Sequence, residues 1–174
     1  MTSTALLSRA VSTALLLLPA TAMAGTLSFT GEIVASTCTV GSGADAMTIP
    51  MGKVDASQLA SEGALASRRA FSISLKCSGG SKSKVAATFE SPSADPVTGN
   101  LPLEGKDKAT HVQIVLHNQA NEQQKFNAPP TSSSWRDATD GDLRLHYTAS
   151  YIATGGAATP GSAGAVATFT VVYQ

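Results

Sequence analysis

With two cysteines, three histidines and one tryptophan among 174 residues, the chain has little from which a metal or redox centre could be built. Cys38 and Cys77 lack the C-x-x-C spacing of a zinc site, and His111, His117 and His146 are scattered, so no ligand set emerges. No H-E-x-x-H, Gly-rich phosphate loop or nucleophile elbow is present, and the histidines fall in strand-like runs. No catalytic constellation, cofactor or small-molecule substrate follows. Lys and Arg number 12 against 12 Asp and Glu, a formal net charge of zero that implies neither nucleic acid nor an anionic membrane surface. There is no internal repeat, no long run of like charge and no apolar run long enough to span a bilayer.

What is present starts with an export signal. In residues 1–24, Arg9 gives a positive start, Leu15, Leu16, Leu17 and Leu18 form the apolar centre, and Ala22, Met23 and Ala24 fit the small-x-small cleavage rule. Cutting after Ala24 leaves 174 − 24 = 150 residues, enough for one domain with a proper core. An exported chain meets an oxidising compartment, so a Cys38–Cys77 disulfide is favoured over two free buried thiols. It would stabilise the fold by roughly 4 kcal/mol on the chain-entropy model.

Alternation at period two recurs along the mature chain. Leu27, Phe29, Gly31 and Ile33 alternate with Ser28, Thr30 and Glu32; Phe71, Ile73, Leu75 and Cys77 alternate with Ser72, Ser74 and Lys76. Val85, Ala87 and Phe89 predict a further strand, residues 111–117 another around Val112, Ile114 and Leu116, and Leu143 through Tyr151 another. His111 and His117 share the phase opposite the apolar one and are expected to face solvent. Cys77 is in phase with the apolar side of its strand, which puts the disulfide in or beside the core, where it pins register. Segments rich in Gly, Ser, Pro and Asn, such as 96–102 and 128–134, read as loops. Residues 55–66 offer a short helix capped by Asp55, weakened by Gly63 and the serines, and read as an irregular crossover. The pattern is that of a β-sandwich.

The last fourteen residues, 161–174, read as one strand ending almost at the carboxyl terminus. Tyr173, Val171, Phe169 and Ala167 fall on one face and Val172, Thr170, Thr168 and Val166 on the other. This ending resembles the carboxyl-terminal signature of pilins of the chaperone–usher pathway: a penultimate tyrosine at Tyr173, a glycine fourteenth from the end at Gly161, and alternating hydrophobics between. The segment from Tyr151 through Gln174 is similar to the major-subunit type of type 1 fimbriae, and weaker likeness extends back to Gly25.

The resemblance implies an all-β fold, an incomplete immunoglobulin-like pilin sandwich completed by a donor strand. Its domain would occupy residues 37–174, behind an amino-terminal donor-strand extension at 25–36 that inserts Leu27, Phe29, Gly31 and Ile33 into a neighbour's groove. Read from the residues alone, Gly31 fits equally a close backbone passage in that groove or a bulge in the chain's own first strand. The tail is shorter before this glycine than in the type 1 major subunit. The groove-edge strand would carry Gly161, Ala165, Ala167, Phe169, Val171, Tyr173 and Gln174. A periplasmic chaperone is expected to pair with it and hold the Gln174 carboxylate, and an outer-membrane usher to exchange that strand for the tail of another copy or another pilin. The implied destination is an extracellular fimbrium on a Gram-negative surface, supporting adhesion.

Two other readings remain in view. A minor adaptor or terminator pilin would share the same signature. A secreted carbohydrate-binding module is suggested by Trp135 beside Arg136, Asp137 and Asp140, the kind of group that stacks on sugars.

Overall fold

The strands expected from Phe71 onward lie in two antiparallel sheets that close over one apolar core. A computed structural model describes residues 38–41, 46–78 and 83–174, all of which belong to one unit, Ala35–Gln174. In chain order the strands are β1 (Cys38–Val40), β2 (Leu65–Cys77), β3 (Lys84–Glu90), β4 (Leu101–Pro102), β5 (Val112–Asn118), β6 (Arg136–Asp137), β7 (Gly141–Ala153) and β8 (Thr168–Tyr173). One sheet has the order β1-β2-β7-β5-β4, the other β6-β3-β8. Residues 1–37, including Leu27, Phe29, Gly31 and Ile33 of the expected donor segment, lie outside the described residues.

Register follows the alternation. Phe71, Ile73 and Leu75 of β2 stand opposite Tyr147, Leu145 and Leu143 of β7, and Ile114 and Leu116 of β5 opposite Tyr151 and Ala149. These side chains point inward, where they meet Val85, Ala87 and Phe89 of β3 in a single cluster. The disulfide joins Cys38 to Cys77, residues directly paired in the β1–β2 ladder and both buried.

Three sequence expectations need correction. The longest is the terminal strand: β8 begins at Thr168, so Gly161, Ala165 and Ala167 precede it. The cause is the length of its partner. β3 ends at Glu90, opposite Thr168, before Pro92, and beyond that there is no ladder to join. The chain from 161 to 167 instead crosses toward the other sheet, where the Glu104 amide donates to the Gly164 carbonyl at 2.7 Å and the Ala109 amide to the Ser162 carbonyl at 2.9 Å.

The second concerns residues 55–66. Asp55 does cap a turn, accepting from the Ser57 amide at 2.9 Å, but the 3-10 helix is only Ala56–Leu59 and Leu65 and Ala66 already belong to β2. That strand is lengthened through a bulge: register shifts between Ala66 and Arg69, with Ser67 at φ 54° and its hydroxyl donating to the Met51 carbonyl. The third concerns the 96–102 loop, which ends in the two-residue β4. Pro102 is accommodated because β4 is an edge strand, where a missing amide costs no ladder bond.

Candidate functional site

β8 is the last strand of its sheet. It pairs with β3 from Val85–Tyr173 to Glu90–Thr168 and with no other strand among the described residues. Its inward row, Phe169, Val171 and Tyr173, packs against the core while remaining only half-buried. Thr168 and Thr170 on the opposite face are exposed. An edge strand whose inward side chains are half-covered exposes both backbone hydrogen-bonding groups and apolar surface, which is the condition for accepting an added strand.

β1 is the corresponding edge of the larger sheet. The two edges approach one another, because the Tyr173 hydroxyl donates to the Cys38 carbonyl at 2.8 Å. Val40 of β1 is also half-buried against the core. The terminal residue is engaged: the Gln174 amide donates to the Lys84 carbonyl and a Gln174 oxygen accepts from the Lys84 amide, both at 2.9 Å.

The approach to β8 is held by three devices. Tyr151, on central strand β7, donates its hydroxyl to the Ala163 carbonyl at 2.7 Å, and burial pushes that phenol above its ordinary pKa. Gly161 passes against the backbone of Lys108 and Ala109 so closely that a Cβ would sit 2.3 Å from the Ala109 nitrogen. This gives the glycine fourteenth from the end a steric reason. Ser91 and Asn127 form a reciprocal pair, the Ser91 amide donating to Asn127 Oδ1 at 3.0 Å and Asn127 Nδ2 to the Ser91 carbonyl at 2.8 Å. Sequence reasoning missed this pair; its one signal was an asparagine just ahead of Pro129 and Pro130, a residue type that tolerates the observed φ of 55°. Ser91 and Asn127 border an open cleft of about 780 Å³ at the start of β8, walled by Pro92, Ala128, Pro129 and Val166 and carrying Glu90 and Glu104. Val166 is 71% exposed there.

The site residues expected from sequence therefore divide. Phe169, Val171, Tyr173 and Gln174 share one strand end with their inward side chains aligned; Gly161, Ala165 and Ala167 lie in the crossing segment that leads to it. The groups weighed for other chemistry are dispersed. The imidazole of exposed His111 lies 3.1 Å from the Ala157 carbonyl, while half-buried His117 is shifted to lower pKa by burial and by Arg68. No group of three or more His, Cys, Asp or Glu able to hold a metal forms among the described residues. Trp135 is half-buried, and the Arg136 guanidinium beside it donates to the Ser133 and Trp135 carbonyls and to Gln119, each at 2.9 Å.

A family model described as fimbrial protein matches residues 27–174. The chain belongs to the fimbrial protein family. It is 35% identical to the type-1 fimbrial protein A chain of Escherichia coli strain K12, over 94% of this chain and 91% of that protein. It is 36% identical to the major fimbrial subunit SMF-1 of Stenotrophomonas maltophilia, over 90% of this chain and 96% of that protein. Among solved structures, the P pilus rod subunit PapA superposes with a TM-score of 0.66 at 24% identity, covering 80% of this chain and 100% of that one, a likeness of fold. A chaperone–usher pilus structure superposes with a TM-score of 0.65 at 25% identity, covering 86% and 95%. The fold is the immunoglobulin-like pilin fold, and this fimbrial protein is a structural subunit of a bacterial fimbrium.

Proposed function

We propose that this fimbrial protein is the repeating shaft subunit of a fimbrium built by strand donation. Residues 25–36 form the tail given to one neighbour, and the edge of β8 receives the tail of another. The observation that carries the proposal is β8 itself, paired on one side by β3 among the described residues, with Phe169, Val171 and Tyr173 half-buried beside it. Leu27, Phe29 and Ile33 are the residues that would complete that apolar row, with Gly31 passing where the groove is shallow. Burying the three contributes on the order of 5 to 9 kcal/mol before the cost of ordering the tail. Ladder hydrogen bonds add about 1 kcal/mol each.

Before assembly the same edge is an aggregation hazard. A periplasmic chaperone strand covering Phe169 to Tyr173, released by an outer-membrane usher, fits that need and the export signal at residues 1–24. Presence of both a tail and a receiving edge favours a shaft subunit over a terminator, and the relatives described as major subunits point the same way. Surface extract run unheated on a denaturing gel is expected to give a ladder that collapses to one band on boiling. A single band in both lanes overturns the proposal.

A further inference from the structure

Given the strand-donation reading above, tension in a fibre enters each subunit through β8, held by the neighbour's tail, and leaves through its own tail on the amino side of Cys38. Along the chain those points are far apart, since 135 positions separate Cys38 of β1 from Tyr173 of β8. In space they meet at one residue. The Tyr173 hydroxyl donates to the Cys38 carbonyl at 2.8 Å, Cys38 is bonded to Cys77, and the two cysteines are ladder partners.

We propose that Cys38 is the joint through which pulling force crosses the subunit, with Tyr173 as the positioning residue that connects the receiving strand to it. Among the described residues β1 makes three ladder pairs, Cys38–Cys77, Thr39–Lys76 and Val40–Leu75. A pull on the amino side of Cys38 would load these pairs in turn, Cys38–Cys77 before Thr39–Lys76 and Val40–Leu75. The disulfide coincides with the Cys38–Cys77 pair and stops the opening there. The Tyr173 hydrogen bond then brings the load on β8 to the same anchored residue, so most of β2 through β7 lies outside the shortest force path. The aromatic ring of Tyr173 contributes to the core, whereas its hydroxyl makes the connection.

The test is the lifetime of single intact fibres under a fixed load, for wild type and Tyr173→Phe, each oxidised and after dithiothreitol until thiol titration shows both cysteines released. The phenylalanine variant keeps the ring and removes the bond. Oxidised variant fibres should break about fivefold sooner than wild type, the factor belonging to one ordinary hydrogen bond. In reduced fibres, where Cys38 is no longer anchored, wild type and variant should break equally soon. Equal lifetimes in the oxidised state overturn the proposal, as does a fivefold difference that survives reduction, because the hydroxyl would then act independently of the joint. A Tyr173→Phe chain that forms no fibres, while wild type gives its ladder, also overturns it by placing the hydroxyl in assembly. Absence of the wild-type ladder would instead strike the strand-donation reading.

Discussion

The ring of Phe89 stands edge-on to that of Tyr147, their centroids 4.8 Å apart at an interplanar angle of 82°. One ring comes from each sheet, and among the described residues this is the closest aromatic pair across the sandwich. Phe71 stacks on Tyr147 at 5.8 Å and Phe126 meets Phe89 at 6.2 Å, making a four-ring centre. Phe89→Ala should cost about 3 to 5 kcal/mol, seen as a lower urea midpoint. Tyr147→Phe should behave differently. Burial pushes the Tyr147 phenol upward in pKa, eased in part by the Ala87 backbone, and its hydroxyl reaches no hydrogen-bond geometry. Removing that oxygen should leave stability unchanged or raise it by about 1 kcal/mol.

Opening the Cys38–Cys77 bond should be nearly as costly as losing Phe89. It closes a sequence separation of 39 residues, worth about 4 kcal/mol in the chain-entropy model. The loss should exceed that of an ordinary cross-link in one respect. β1 has three residues and depends on the bond for its place, so amide exchange at Gly41, which donates to the Ser74 carbonyl at 2.8 Å, should quicken more than exchange in β5. Equal quickening in both would show that the disulfide acts only on the unfolded chain.

Most of the sandwich was legible because its strands are half-buried and alternate. β3, β5 and β7 appear where Val85–Phe89, Val112–Leu116 and Leu143–Tyr151 place them, and the inward phase of β8 is the one that Phe169, Val171 and Tyr173 announce. What escaped depends on partners that a single segment does not contain. β4 and β6 are two residues long and exist only because β5 and β3 offer edges to Pro102 and Arg136. The start of β8 at Thr168 is set by the end of β3 at Glu90, 78 positions away in sequence. The bulge at Ser67 is set by the Met51 carbonyl its hydroxyl meets. Alternation reads local burial, whereas strand ends are decided by what lies alongside.

Asp95 organises the loop between β3 and β4. Its Oδ1 accepts from the Val97 amide at 2.8 Å and the Thr98 amide at 3.1 Å, and its Oδ2 from the Gln113 side chain at 2.9 Å. Donation from Gln113, then from the Thr98 and Val97 amides, holds its pKa down at about 2. A depressed carboxylate stabilises the folded state above the unfolded pKa of about 3.9, and this contribution fades as pH falls from there through about 2. Protection of the Val97 and Thr98 amides, taken relative to intrinsic exchange at each pH, should therefore hold down to about pH 4 and fall below it. Asp95→Asn, which cannot accept from Gln113 at the second atom, should show the lowered protection already at pH 7; a pH-independent wild type would count against the carboxylate as the organiser.

Gly161 and Gly164 offer a matched pair three residues apart. At Gly161 a Cβ would lie 2.3 Å from Ala109 N and 2.5 Å from the Lys108 carbonyl carbon, both backbone atoms with little room to yield. At Gly164 nothing lies within 4 Å. Gly161→Ala should cost about 1 to 3 kcal/mol and speed exchange at the Ala109 amide, whose bond to the Ser162 carbonyl depends on the close passage. Gly164→Ala should be neutral or slightly stabilising. Similar urea midpoints for both would remove the steric account of the family glycine.

On the proposed strand donation the tail and the receiving edge make separable demands, so their failures should complement. Phe29→Asp places a charge in the donated segment and should leave a subunit that accepts but cannot donate. Val171→Asp places one on the inward row of β8, where Val171 pairs with Ala87, and should leave a subunit that donates but accepts poorly. Each charge would have to enter apolar surroundings without a partner, which costs more than one strand's burial gains. Expressed alone, neither variant should give a ladder of more than one step, and Val171→Asp should also lower periplasmic yield, since the chaperone strand is expected on the same edge. Expressed together, the two should form a dimer through the intact tail of one and the intact edge of the other. A mixture that stays monomeric, or one that builds long fibres, would mean that the same surface serves both roles, and the directional polymer of one tail per groove would have to be abandoned.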